Sequence, residues 1–170
     1  MNCVSTLAIT THLFLPSPPQ VLSAEPEIGS VTAVRGTVML KRPGTENQIA
    51  VREGTAFKVG DVVETGEIAA AQLTLADDSF MNLGPGAAVR VNQYSFDTVT
   101  NRRTAIIRVL EGKVRFVVFR IRRGDSSFRV EADKALVTAG ALADFVVMTS
   151  PGQAEVAALE SSFNVRNTLP

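Results

Sequence analysis

Apolar residues recur at every second position through most of the chain, the period of a strand with one buried face. Val34, Gly36, Val38 and Leu40 alternate with Arg35, Thr37, Met39 and Lys41, and the run ends at a Pro43-Gly44 turn. Leu73 and Leu75 keep the period up to an Asp77-Asp78 pair, Met81 and Leu83 resume it, and Gly84-Pro85-Gly86 breaks the chain again. Val89 and Val91 predict another short strand, and "AIIRVL", "VRFVVF", "FRV", "ALVTA" and "FVVM" predict others. Around residue 116 the chain is apolar on both faces through Val117, Val118 and Phe119, which predicts a central strand covered on each side. Helical spacing is confined to the Ala-rich "EIAAAQL" and "AEVAALE", both with strand-like neighbours. The expected fold is all-β: short antiparallel strands in a rolled, β-helix-like or sandwich arrangement, with little helix.

A weak repeat supports rolling. "AVRGTVML" at 33–40, "VLEGKVRF" at 109–116 and "ALESSFNV" at 158–165 each read as a strand, a tight corner and a new strand. In the first two the corner is a glycine, which reaches the positive φ such corners often need. Gly54, Gly60 and Gly66, six apart, punctuate very short strands.

Composition narrows the chemistry. The chain has 170 residues, 45% of them hydrophobic, enough for one sizeable core. Its formal net charge is zero, so no global field draws it to nucleic acid or acidic membranes. Cys3 and His12 are the sole cysteine and histidine, so from Leu13 onward no Cys/His zinc site or histidine-assisted nucleophile can form. Trp is absent and Tyr94 is the one tyrosine, which argues against a sugar cleft built on stacked aromatics. With a single cysteine there is no disulfide, which leaves the compartment open.

The first residues read as an irregular export signal. In "LFLPSPPQVLSAEPE" an apolar patch and prolines precede Ser23-Ala24 and the acidic Glu25, a reasonable cleavage point. No Lys or Arg precedes the patch, and its apolar run is shorter than the about 7–15 residues of an export signal or the roughly 20 of a membrane helix. A disordered Pro-rich leader is the other reading. The expected organisation is a leader over 1–24, a linker over 25–30, a β domain over 31–166 and a tail over 167–170, with no transmembrane segment.

"GSVTAVRGTVML", "VREGTAFKVGDVVETGEIAAAQLTLADDSFMNLGPGAAVRV", "IIRVLEGKVRFVV" and "SSFRVEADKALVTAGALADFVV" resemble, in order, successive motifs of the FecR domain. The most specific are the step through Gly60, Asp61, Thr65 and Gly66, the "LADDSFMNL" hairpin and "LEGKVRF". The chain departs from the family in two places. An Asp-Gly corner is usual where it has Asp77-Asp78-Ser79, and an Arg-Gly-Thr triplet is usual near "GALAD", Gly140 to Asp144. Well-known members resemble one another in a cytoplasmic sigma-factor-binding segment, a membrane helix and a receptor-contacting C-terminal domain, none of which is expected here. The resemblance implies an extracytoplasmic all-β domain with no catalytic residues and no cofactor. It does not extend to iron-transport signalling across a membrane.

The aspartate pair decides whether a chemical site is sought. A hairpin corner needs residues that turn and solvate the backbone, which Asp does. A metal site needs further oxygen ligands at set spacing, and a calcium-loop pattern is missing. Asp77 and Asp78, like Asp61, Gly66 and Gly112, are therefore expected to be structural turn residues, with the pair exchangeable for Asn-Gly at no more than about 1 kcal/mol. One charged feature stands out: nine basic residues from Arg102 to Arg129 face only Glu111 and Asp125, a local net charge of +7. Within it Arg120, Arg122 and Arg123, with Arg115 and Arg129, form a candidate patch for an anionic partner such as lipid phosphate, cell-wall polymer or an acidic protein. Solvated strand ends are the plainer reading. Nucleic acid is disfavoured because Phe116, Phe119 and Phe128 read as core rather than stacking platforms.

The expected function is a non-enzymatic, periplasmic or otherwise extracytoplasmic FecR-type binding and signalling module recognising a protein or envelope component. The alternative is a structural envelope protein that assembles through its sheet edges.

Overall fold

The computed structural model describes residues 25–119, 126–139, 142–160 and 164–167. The first eight strands are β1 (Glu27–Arg35), β2 (Val38–Lys41), β3 (Gln48–Ala50), β4 (Ala56–Lys58), β5 (Val62–Thr65), β6 (Ala70–Leu75), β7 (Phe80–Leu83) and β8 (Ala88–Asp97). The remaining six are β9 (Arg102–Val118), β10 (Ser126–Ala132), β11 (Ala135–Ala139), β12 (Ala143–Ser150), β13 (Gln153–Glu160) and β14 (Asn164–Asn167). Among the described residues there is no helix. The Ala-rich "EIAAAQL" runs from a turn into β6, and "AEVAALE" lies in β13. The leader at 1–24 and Arg120, Arg122 and Arg123 lie outside the described residues.

The strands form one curled sheet with two leaves that share β9. In the first half of β9, β8 pairs on one side and β10 on the other, giving the leaf β3-β2-β5-β8-β9-β10-β11-β14. In its second half β7 and β12 take those places, giving the leaf β4-β1-β6-β7-β9-β12-β13. All pairings are antiparallel except β9–β10.

Two glycine corners move the chain between leaves. The alternating run from Val34 to Leu40 is not one strand: Gly36, at φ 76°, ends β1 in one leaf before β2 starts in the other. Within β9 the inward positions are Arg103, Ala105, Ile107 and Val109, then Val114, Phe116 and Val118. The parity flips across Leu110–Gly112, where Gly112 takes φ 80°, so one extra residue lets the strand change leaf with its apolar side still inward.

That bulge also explains a length the sequence did not suggest. β9 runs for 17 residues. Straight, it would span roughly 55 Å, yet the Arg103 guanidinium reaches the Phe119 carbonyl at 3.2 Å. The strand curls until its two ends meet. The expectation of a strand buried on both faces near 116 is corrected at the same place: Val114, Phe116 and Val118 are buried, whereas Arg115 is exposed, Val117 half-buried and Phe119 41% exposed. β9 is central through its neighbours on both edges, not through cover on both faces.

One apolar cluster fills the space between the leaves, with Leu73, Met81, Phe116 and Phe145 from one and Leu40, Val63, Ile107 and Val130 from the other. Phe116 stacks on Phe145 at 5.3 Å and meets Phe128 edge-on at 6.3 Å, which couples the leaves around β9.

Candidate functional site

The β6–β7 hairpin turns at residues 76–79, closed by Leu75 N–H donating to the Ser79 carbonyl at 2.8 Å and Asp78 N–H to the Leu75 carbonyl at 3.0 Å. Asp78 takes φ 64°, the left-handed conformation that a glycine adopts without strain. It therefore occupies the backbone role of the glycine in an Asp-Gly corner.

Asp77 does something else. Its carboxylate is folded inward, 8% exposed, against an Arg103 that is 1% exposed. Asp77 Oδ2 accepts from Arg103 Nη1 in an ion pair and from Ser79 Oγ at 2.8 Å, while Oδ1 accepts from Tyr94 Oη at 2.8 Å. Arg103 also donates to Ser79 Oγ at 2.9 Å and Ser126 Oγ at 2.9 Å, and its guanidinium lies 5.2 Å from the Phe128 ring centre. Phe119 N–H donates to Ser79 Oγ at 3.1 Å. Burial, reinforced by the Asp77 charge, pushes the Tyr94 phenol far above its usual range and keeps it a neutral donor.

Asp77 thus contributes a buried ion pair and not only a backbone turn. The cluster joins the β6–β7 turn, β8, both ends of β9 and the first residue of β10. It is a clasp across the curled sheet. Both oxygens of Asp77 are taken by internal donors, and burial leaves no room for substrate at them. Among the described residues, Arg103 Nε is the one buried side-chain nitrogen or oxygen without a partner. The sequence carried a signal for the clasp: Arg103 lies in phase with Ala105, Ile107 and Val109, and Ser79 with Met81 and Leu83. A cation on a buried face requires a buried anion nearby.

The "GDVVETG" residues are placed as backbone clamps. Asp61 is buried and its Oδ2 accepts the Lys58 N–H at 2.9 Å. Thr65 Oγ1 donates to the Gly84 carbonyl at 2.7 Å and accepts from Ala87 N–H at 2.8 Å. Gly66 N–H donates to the Thr37 carbonyl at 2.9 Å, and the Gly66 carbonyl accepts from Ala69 and Gly86 at 3.0 Å each.

The basic segment is divided by the fold. Arg103 is consumed in the clasp. Arg115 makes a two-pronged pair with Asp144, Nε to Oδ1 at 2.9 Å and Nη2 to Oδ2 at 2.5 Å, which holds the Asp144 carboxyl below its usual range and raises Arg115. Arg129 is exposed on the other leaf opposite Ile106, nine positions along β9 from Arg115. The structure does not bring Arg115 and Arg129 into one patch. Among the described residues no group of three or more His, Cys, Asp or Glu is placed to hold a metal ion, and no helix is long and apolar enough to cross a membrane.

The model of the family described as FecR protein matches residues 61–164, more than half of the chain. The chain belongs to the FecR family. Two crystal structures of a candidate anti-sigma factor from Parabacteroides distasonis ATCC 8503 are also similar, at 20% identity and TM-scores of 0.43 and 0.42. In each case 63% of this FecR chain is covered, and it spans 55% of the length of those neighbours. No curated protein matches the chain. Membership rests on the family model alone.

Proposed function

We propose that this chain is a non-enzymatic FecR-type recognition module that works outside the cytoplasm and binds a protein partner. Family membership makes a signalling or regulatory role the starting point. The observation that carries the reading is the clasp, in which both oxygens of the chain's buried Asp77 carboxylate are taken by its own framework. Charges that remain for use are on the outer faces of the leaves, where they can recognise but are not held as catalytic groups are. Residues 1–24 are the leader of this proposal, removed near Ala24.

The assembly reading has one observation of its own. Among the described residues β13 pairs only with β12, and its other edge carries exposed Ala157, Ala158 and a Leu159 that is 54% exposed. An open apolar edge invites another strand. Light scattering after size exclusion, together with cross-linking in intact cells, tests both readings. The module reading expects a mass independent of concentration and a discrete adduct with a different protein. Large, concentration-dependent species and self-adducts would replace it with assembly, and an intact mass retaining Met1 in protein recovered only from cytosol would remove the export.

A further inference from the structure

The outer face of the β8–β9 leaf carries a feature that the basic segment alone did not reveal. Arg90 of β8 and Arg108 of β9 are direct cross-strand partners, which brings two exposed guanidinium stems to roughly 5 Å. In the same row Val62 pairs with Arg90 on one side and with Lys41 on the other, so a third cation sits about 10 Å from Arg90. Neither arginine has an ion-pair partner among the described residues. Glu131, opposite Arg108 on β10, accepts from Asn92 Nδ2 at 3.3 Å instead. Directly opposed like charges weaken a sheet, and although Glu131 and Glu64 lie nearby, neither closes an ion pair with these arginines among the described residues.

The row opens into a cleft of about 400 Å³ lined by Lys41, Arg42, Glu64 and Arg90, with Val62 and Leu110 as apolar wall. Leu110 is 39% exposed at the β9 bulge. Cations beside an apolar wall suit a chain that carries carboxylates next to an apolar side chain. A bare polyanion would leave the exposed Leu110 unused. Arginine outnumbers lysine in the cluster, and its planar fork matches carboxylates two bonds at a time.

We propose that the cleft lined by Lys41, Arg42, Arg90, Val62 and Leu110, with Arg108 beside Arg90 on the adjoining strand, docks an acidic segment of a partner protein with an apolar residue seated against Leu110. The proposal rests on the recognition-module reading and names its surface. That surface lies on strands that the run from Arg102 to Arg129 only partly covers, because Lys41, Arg42 and Arg90 come from elsewhere in the sequence.

The test places a photo-cross-linking amino acid at Leu110 in the full chain in its own cells, with the same probe at Val99 and at Leu159 as separate controls, both exposed and on other elements. Mass spectrometry then reads the adduct. The expected result is a protein adduct at Leu110 whose linked peptide is rich in Asp and Glu, reduced at least about tenfold by R90Q/R108Q and by washing permeabilised cells in high salt before irradiation. An adduct unchanged in R90Q/R108Q, a linked peptide without excess acid, or linkage to a non-protein polymer would overturn the cleft. Protein adducts at Val99 or Leu159 with none at Leu110 would overturn the cleft and leave the recognition module standing. No protein adduct at any of the three positions would overturn both.

Discussion

At the β6–β7 corner two neighbouring aspartates have separate tasks, and the chemistry of each follows from one number: Asp78 sits at φ 64° and Asp77 is 8% exposed. Asp78→Gly relieves a left-handed strain and should raise stability by about 1 kcal/mol. Asp77→Asn leaves the buried Arg103 without its counter-charge and should lower stability by about 3–5 kcal/mol. Urea denaturation of the two single variants measures both signs. The Asn-Gly replacement, for which turn chemistry alone predicts no more than about 1 kcal/mol, should on the same grounds be strongly destabilising. Opposite signs in adjacent residues are the mark of this corner, and two small equal shifts would mean that Asp77 is solvated. Sequence alternation placed the turn but not the direction of the Asp77 side chain, because direction depends on the curl that brings β8 and β9 over the corner.

Among the elements, β9 has the decisive role because its bulge sets the curl. A Cβ on Gly112 would meet Ala87 Cα at 2.6 Å and the Gly86 carbonyl oxygen at 2.7 Å, on top of φ 80°. Gly112→Val should therefore cost about 3 kcal/mol or more, and a melting temperature unchanged within error would show that the leaves do not depend on this crossing. Further along β9, the Arg115–Asp144 pair links β9 to β12. Because Asp144 has a depressed folded-state pKa, its contribution is present above the ordinary aspartate value and lost as pH falls through the depressed one. The stability gap between wild type and Asp144→Asn should be larger at pH 7 than at about pH 3, by urea midpoints. A constant gap would place the pair outside the stability of the sheet. The corner glycines of the internal repeat were legible in sequence at Gly36 and Gly112. The 17-residue length of β9 was not, since a bulge keeps pairing continuous through a residue that reads as a break.

For the whole molecule, the all-β class was readable from residue spacing and the FecR family from the resemblance of its ordered motifs, and the two-leaf curl is how those spacings close. What local pattern could not supply was pairing across distance: which strands lie beside β9, and hence that Arg103 meets Asp77 from 26 positions away. The same pairing splits the basic segment, with one arginine inside, one tied to Asp144 and Arg108 facing Arg90 across strands. With the clasp acting as framework, the outer faces are what is left for recognition. A double-mutant cycle of Asp77→Asn and Arg103→Met, followed by urea denaturation, reads this directly. We expect each single change to cost about 3–5 kcal/mol and the pair to fall short of their sum by about 2 kcal/mol or more. Additivity within about 0.5 kcal/mol would contradict the clasp and reopen Asp77 as a group available for chemistry.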